Sequence, residues 1–243
     1  MKTLISNIEI VNEGRSFVGS VLIDNDVIEQ IIEGTRHDID ADVVVDGRGK
    51  MLLPGAIDDQ VHFREPGLTQ KADIASESAA AVAGGVTSYM EMPNTNPQTT
   101  TIAALNDKYS RAAASSVANY SFYIGATNDN LDVIKSIDYH DVCGIKLFMG
   151  SSTGNMLVDN EKTLSALFKS APAIITAHCE DEATIKANMQ AFKEKYGDDV
   201  PWKCHGEVRS AEACIKSSTK AASLARKFGA RLHILHLSTA GEL

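Results

Sequence analysis

Basic residues are scarce in this chain. Its 23 Lys and Arg face 32 Asp and Glu, a formal net charge of −9 over 243 residues. A surface of that sign repels a phosphate backbone, which excludes nucleic-acid binding as the main task. Long apolar runs are missing too: none reaches the length of a bilayer-crossing helix, and the opening MKTLISNIEIV has no signal-peptide cleavage pattern. The four cysteines, Cys143, Cys179, Cys204 and Cys214, include no C-x-x-C pair. Three fall within apparent strands or helices, so they read as reduced, buried and mostly structural, as expected of a cytoplasmic protein. What the chain does have is 44% hydrophobic and 23% charged residues, a globular balance able to bury a sizeable core.

Residues 1–53 differ in texture from the rest. LISNIEIV, SVLIDNDVIEQII and DVVVDG are short β-rich runs separated by Asn-Glu-Gly and Asp-Gly turn signals, which predict a small β module without helices. From residue 54 onward apolar strands alternate with helical stretches. MLLPGAIDDQVHF leads to KADIASESAAAVAGG, VTSYMEM to TTIAALNDKYSRAAASS, and NYSFYIGAT to NDNLDVIKSI. VCGIKLFMG leads to DNEKTLSALFKS, AIITAHC to two helical stretches ending at KFG, and RLHILHLS closes the series. Such alternation calls for a parallel sheet covered by helices, either an open doubly wound sheet or a (β/α)₈ TIM-like barrel. Polar residues gather at the C-terminal ends of successive strands, as a barrel mouth requires, and no glycine-rich phosphate fingerprint follows the first strand. The barrel is therefore expected. Only six strands are counted where a barrel has eight, so two βα units are expected to be missing, and the small module to be completed by the same missing part.

Three histidines end three of these strands: His62 in GAIDDQVHFREPG, His178 in AIITAHCED and His236 in LHILHLST. One such histidine is more often structural than a ligand. Three at matching heights in a barrel mouth suggest a divalent cation, since imidazole is the common nitrogen ligand of zinc. His37, His140, His205 and His233 fall in loops or off this register and read as structural or solvated. Strand alternation would place Asp58, Gln60, His62 and Arg64 on one face, with Ile57, Val61 and Phe63 on the other. Lys146 sits inside the apolar strand VCGIKLFMG. Either it snorkels to the barrel end, or burial makes its amine neutral and able to add carbon dioxide as a carbamate. Arg64 offers a fork that suits a carboxylate. Asn94, in MPNTNP, is a turn residue or a second donor to the same group.

These segments, with REPG and MPNTNP the most specific, resemble the dihydroorotases of the amidohydrolase superfamily from about residue 3 to the last residue. The resemblance implies a metal-dependent barrel that interconverts N-carbamoyl-L-aspartate and (S)-dihydroorotate in pyrimidine biosynthesis. It implies one or two zinc ions held by His62, His178 and His236, with Lys146 as a carbamylated bridging ligand. It also implies Arg64 and Asn94 on the substrate carboxylate, and a homodimer. Two departures stand out. The family has a histidine where this chain has Gln60, a poorer zinc ligand, so the ion nearest His62 is expected to be weak or absent. The proton-shuttling aspartate belongs to the family's last strand, so no catalytic residue is assigned here, and Asp58 and Asp59 are poor substitutes.

Two rivals follow from the same residues. Hydantoinases, dihydropyrimidinases and allantoinases resemble the chain at Lys146, His178 and His236 but act on neutral rings, which leaves Arg64 without a carboxylate. A non-catalytic scaffold for aspartate transcarbamoylase would explain Gln60. Lacking two strands, this chain by itself is expected to be unstable and inactive, because the edges of its sheet would be exposed.

Overall fold

The computed structural model describes residues 1–36, 38–150 and 154–243; His37 lies outside them. The chain divides into two units, Met1–Ala56 and Ile57–Leu243.

The first unit contains β1 (Lys2–Asn12), β2 (Arg15–Asp24), β3 (Val27–Glu33), β4 (Val43–Asp46) and β5 (Met51–Leu52). They form one mixed sheet, ordered β3-β2-β1-β4, with β5 also pairing β1. Alternation along β1 and β2 buries Ile8, Ile10 and Val21 together on one face. Val27, Ile28 and Ile31 on β3, and Val43, Val44 and Val45 on β4, remain exposed, so the chain supplies a single layer here. The run expected as one strand, MLLPGAIDDQVHF, is split: Met51 and Leu52 pair with Glu9 and Ile10, and the next strand begins only at Ala56. Pro54 between them has no N–H to continue a ladder.

The second unit alternates β6 (Ala56–Val61), α1 (Ile74–Ala83), β7 (Val86–Glu91), α2 (Ile102–Ser115), β8 (Asn119–Gly125) and α3 (Leu131–Ser136). It continues with β9 (Gly144–Phe148), α4 (Glu161–Ser170), β10 (Ile175–His178), α5 (Glu182–Tyr196), α6 (His205–Val208), α7 (Ala211–Phe228) and β11 (Leu232–Ile234). The strands form a six-stranded sheet in sequential order, with parallel registers from β7 through β11. The sheet curls: His233 Nε2 of one edge strand lies 3.0 Å from Asp59 Oδ2 of the other. This is part of a (β/α) barrel, as the alternation predicts.

Local chemistry sets the helix starts. Asp73, Thr101, Asn160, Asp181 and Ser210 each accept a hydrogen bond from a first-turn N–H of the helix they precede. Helix ends fall at Gly84, Gly197 and Gly229, the last in the left-handed region at φ 69°. Between sheet and helices, Ile124, Ile145, Leu147, Ile175 and Ala177 pack with Leu164, Leu167 and Phe168 of α4 and Ala221 and Ala225 of α7. Each large side chain buried there contributes about 1.5–3 kcal/mol. All five residues of β9 are buried, as a strand covered on both faces requires, and Lys146 is one of them.

Candidate metal and substrate site

His178 is the last residue of β10 and pairs in register with Phe148 of β9. His236 lies two residues beyond β11, at φ 38°. These two imidazoles meet: His178 Nδ1 and His236 Nε2 are 3.2 Å apart, and the rings are edge-to-face with centroids 5.0 Å apart. The other nitrogen of His178, Nε2, lies 2.7 Å from Glu180 Oε2. Burial, then the charges of His178 and Lys146, lower the pKa of His236, which favours a neutral ring with a lone pair to share.

Lys146 is 1% exposed, and its Nζ lies 4.6 Å from the centre of the Phe148 ring. Burial lowers its pKa to about 7, with only a weak opposing pull from Cys179. The snorkelling alternative is thus overturned. The ammonium does not escape to water; the apolar strand removes its reason to be charged.

His62 directly follows β6, and its Nδ1 lies 2.9 Å from Asn94 Oδ1. The carbonyl oxygen accepts, so Nδ1 carries the proton and Nε2 keeps its lone pair. Burial, then the charges of Arg64, Lys146 and Lys108, lower the His62 pKa to about 4, with the Asn94 bond opposing them. Lys146 therefore acts on both His62 and His236, which locates the three in one electrostatic neighbourhood.

The predicted alternation does not extend to Arg64. The strand stops at Val61, and Arg64 turns into the left-handed region at φ 67°. Its N–H donates to Glu91 Oε1 (3.3 Å), and the loop then folds against MPNTNP: Asn96 N donates to Pro66 O at 3.0 Å. A Cβ on Gly67, at φ 79°, would lie 1.9 Å from Asn96 O. Only glycine permits so close an approach. The structure thus clamps the loops that carry Arg64 and Asn94 backbone to backbone, and His62 senses both side chains.

Among the described residues, no three of His, Cys, Asp and Glu are placed to hold a metal ion by themselves. The donors present nevertheless suit zinc in part. Two nitrogens on a tetrahedral ion with bonds of about 2.0–2.1 Å are separated by about 3.3 Å, and His178 and His236 stand at 3.2 Å. Two imidazoles and a neutral amine leave further coordination to be completed. Asp59 is engaged elsewhere, with His233. His140 pairs with Asp141 on the surface and His205 stacks on Trp202, so neither joins the site.

Comparison with known proteins identifies the family and the fold. Residues 49–241 match a family model described as dihydro-orotase-like. The chain belongs to that family. A dihydroorotase of Methanosarcina acetivorans is 33% identical over 97% of this chain and 50% of its own length. One from Methanosarcina mazei is 34% identical over 82% of the chain and 43% of its own. The chain thus spans about half the length of the curated relatives it matches. Among solved structures, the L-hydantoinase (dihydropyrimidinase) from Arthrobacter aurescens superposes with a TM-score of 0.88 at 26% identity. That match covers 99% of this chain and 54% of the hydantoinase.

Within this dihydroorotase-like frame, some supporting groups escaped the sequence reading. Glu180 and Arg209 are 29 positions apart, yet Arg209 Nε donates to Glu180 Oε1 at 2.8 Å and Nη2 to Oε2. Hydrogen bonds from His178 and Arg209, with the Arg209 charge, overcome burial and hold the Glu180 pKa down at about 2. Lys108 and Glu91 form a buried ion pair behind the Arg64 turn. Here a signal existed: Leu105, Lys108 and Ala112 share the buried stripe of α2 at helical spacing, with a lysine where an apolar residue belongs.

Proposed function

We propose that this chain carries the metal- and carboxylate-binding part of a zinc-dependent dihydroorotase, which interconverts N-carbamoyl-L-aspartate and (S)-dihydroorotate in pyrimidine synthesis. The observation that carries the reading is the pair of facing imidazole nitrogens, His178 Nδ1 and His236 Nε2, beside a buried lysine whose pKa falls to about 7. Bound zinc would polarise the ring carbonyl and acidify a water molecule. The chain's own residues select, orient and hold.

The neutral Lys146 amine can add carbon dioxide. Its lone pair forms the N–C bond, an N–H proton leaves to solvent, and the carbamate presents two oxygens and a negative charge. In this reading Lys146, His178 and His236 would hold one zinc firmly. His62, through Nε2, would hold a second one only weakly, because Gln60 stands where the family has a second imidazole. Arg64 would grip the substrate carboxylate with its fork. Asn94 gives its carbonyl to His62, and among the described residues nothing takes its amide N–H groups, which leaves them for the same carboxylate. Fixing that end of the substrate is how these residues would contribute to rate. A cytoplasmic location belongs to the same proposal, in keeping with four free cysteines, and the homodimer comes from the family resemblance alone.

Hydantoinases share this fold, but their neutral rings would give Arg64 nothing to hold. Gln60 alone favours a non-catalytic scaffold. Elemental analysis of the purified chain, with calorimetric titration of N-carbamoyl-L-aspartate and of hydantoin, separates these readings. Expected are at least one firmly held zinc and a preference for the carboxylate ligand that Arg64→Ala reduces tenfold or more. A chain that takes up no zinc, or binds both ligands alike before and after Arg64→Ala, overturns the reading.

A further inference from the structure

The imidazole of His178 can be protonated at either nitrogen, and only one choice leaves Nδ1 free for a cation. We propose that Glu180 and Arg209 are positioning residues that lock His178 as its Nε2–H tautomer and thereby aim the Nδ1 lone pair at the space beside His236. This inference rests on the metal-site reading above.

Three observations carry it. Glu180 is 6% exposed, and its carboxylate is fully engaged: Oε1 accepts from Arg209 Nε at 2.8 Å, and Oε2 accepts from Arg209 Nη2 and faces His178 Nε2 at 2.7 Å. With an arginine fork donating to both oxygens, the carboxylate has only lone pairs to offer, so Nε2 must bring the proton. The opposite tautomer would set lone pair against lone pair in a buried place.

Secondly, the pair is itself held. Glu180 occupies the short turn between β10 and α5, and Asp181 caps α5 through Thr184 N while its own N–H donates to Ala213 O at 2.9 Å. A Cβ on Gly150 would lie 2.1 Å from Glu180 O, so the bend that follows β9 presses against the Glu180 backbone. Arg209 is fixed from α5, where Asn188 Nδ2 donates to Val208 O at 3.1 Å, and by its own N–H to His205 O at 2.9 Å.

Thirdly, the burden of switching falls on the other ring. With His178 Nδ1 bare, the 3.2 Å contact is a hydrogen bond donated by His236 Nε2. A cation arriving between them would require His236, not His178, to move its proton to Nδ1. A carboxylate that orients a ligating imidazole this way is typically worth 10–100-fold in metal affinity.

The test is long-range ¹H–¹⁵N correlation spectroscopy of the full chain without metal, with the ring assigned through His178→Gln, followed by zinc titration against a chromophoric chelator. The wild type should show His178 bare at Nδ1, and added zinc should change the tautomer of His236 alone. Glu180→Gln should mix the His178 tautomers and weaken zinc binding 10–100-fold. Arg209→Lys, a milder change at a partly buried residue, should fall between the two. A wild-type His178 protonated at Nδ1, or variants that keep both its tautomer and the wild-type zinc affinity, overturn the proposal. A tautomer that depends on Glu180 in a chain indifferent to zinc would keep the lock and refute the metal site.

Discussion

Among the described residues of the second unit two lysines are buried, and they differ in whether a carboxylate accompanies them. Lys108, on α2, is paired with Glu91, donates to Met92 O at 3.0 Å and lies 4.9 Å from the centre of the Phe122 ring. Lys146, on β9, has an aromatic ring of its own but no carboxylate among the described residues. Burial lowers both amines; for Lys108 the charge and hydrogen bond of Glu91 oppose it. The first lysine ties a helix to the turn that carries Arg64 and to the loop that carries Asn94. The second is held ready to lose its charge. The same residue type in the same unit is a structural tie in one place and a latent nucleophile in the other, and the partner makes the difference.

Removing the partner should have the largest effect. Lys108→Met leaves the Glu91 carboxyl buried without its counter-charge, although the Arg64 N–H still donates to it, and should cost about 3–5 kcal/mol. Urea unfolding followed at 222 nm reports it, because the α-helices all lie in the second unit. Adding Glu91→Leu to Lys108→Met should recover most of the loss, since an apolar pair can replace a buried ion pair nearly neutrally. A double variant as weak as the single one would mean that packing, rather than the stranded charge, sets the cost.

The unaccompanied lysine should show the opposite sign. Below about pH 7 Lys146 is protonated in both folded and unfolded chains, and the fold bears the full cost of a buried charge. Above pH 7 the folded amine is neutral, while the unfolded one keeps its proton up to the usual 10.5. The unfolded state then binds more protons, so stability rises with pH by about 1.4 kcal/mol per unit. Lys146→Met, in buffer free of carbon dioxide, should be more stable than wild type by a few kcal/mol at pH 6. That advantage should shrink steadily between pH 7 and 9. Above pH 9 the cysteines, whose thiols burial pushes up, confuse the comparison. A constant difference across the window would show that Lys146 titrates normally. Bicarbonate at pH 8 should stabilise the wild type and leave the variant unchanged.

How much of this was legible beforehand follows the range of the forces involved. Alternating strands and helices depend on neighbours a few positions away, and the sequence displays them; for Lys146 it left snorkelling and burial both open. His178 ends its strand as the sequence pattern predicts, and its pairing with Phe148 emerges from the sheet register. The turn at Arg64 was not legible, because Glu91 and the close approach of Gly67 to Asn96 set it across some 30 positions. His236 was placed at a strand end, yet the strand stops at Ile234 and the residue arrives through a left-handed bend. Glu180 follows His178 by two positions and looks like a helix-start acid. Its real partners emerge only when Arg209 folds back from α6.

Gly67→Ala tests the clamp that joins the loops carrying Arg64 and Asn94. The added methyl meets Asn96 O in a left-handed turn, and the strain should cost about 1–3 kcal/mol. If the clamp also sets the site, binding of N-carbamoyl-L-aspartate should weaken in the same variant, while zinc affinity at His178 and His236 stays put. Equal loss of both would mean that the whole barrel mouth has moved.

The smallest effect belongs to a third lysine, which has a carboxylate but no burial. Lys216 on α7 donates to Asp181 Oδ2 at 2.7 Å with more than half its side chain in water. Solvent already satisfies the ammonium, and an exposed pair gives back in side-chain entropy much of what it gains in attraction. Lys216→Met should therefore change stability by less than about 1 kcal/mol, and by less again at high salt. Asp181 would keep its hydrogen bonds to Thr184 and continue to cap α5. A loss as large as that of Lys108→Met would mean that contact with a carboxylate, rather than isolation from water, governs these lysines, and the contrast between Lys108 and Lys146 would then need another cause.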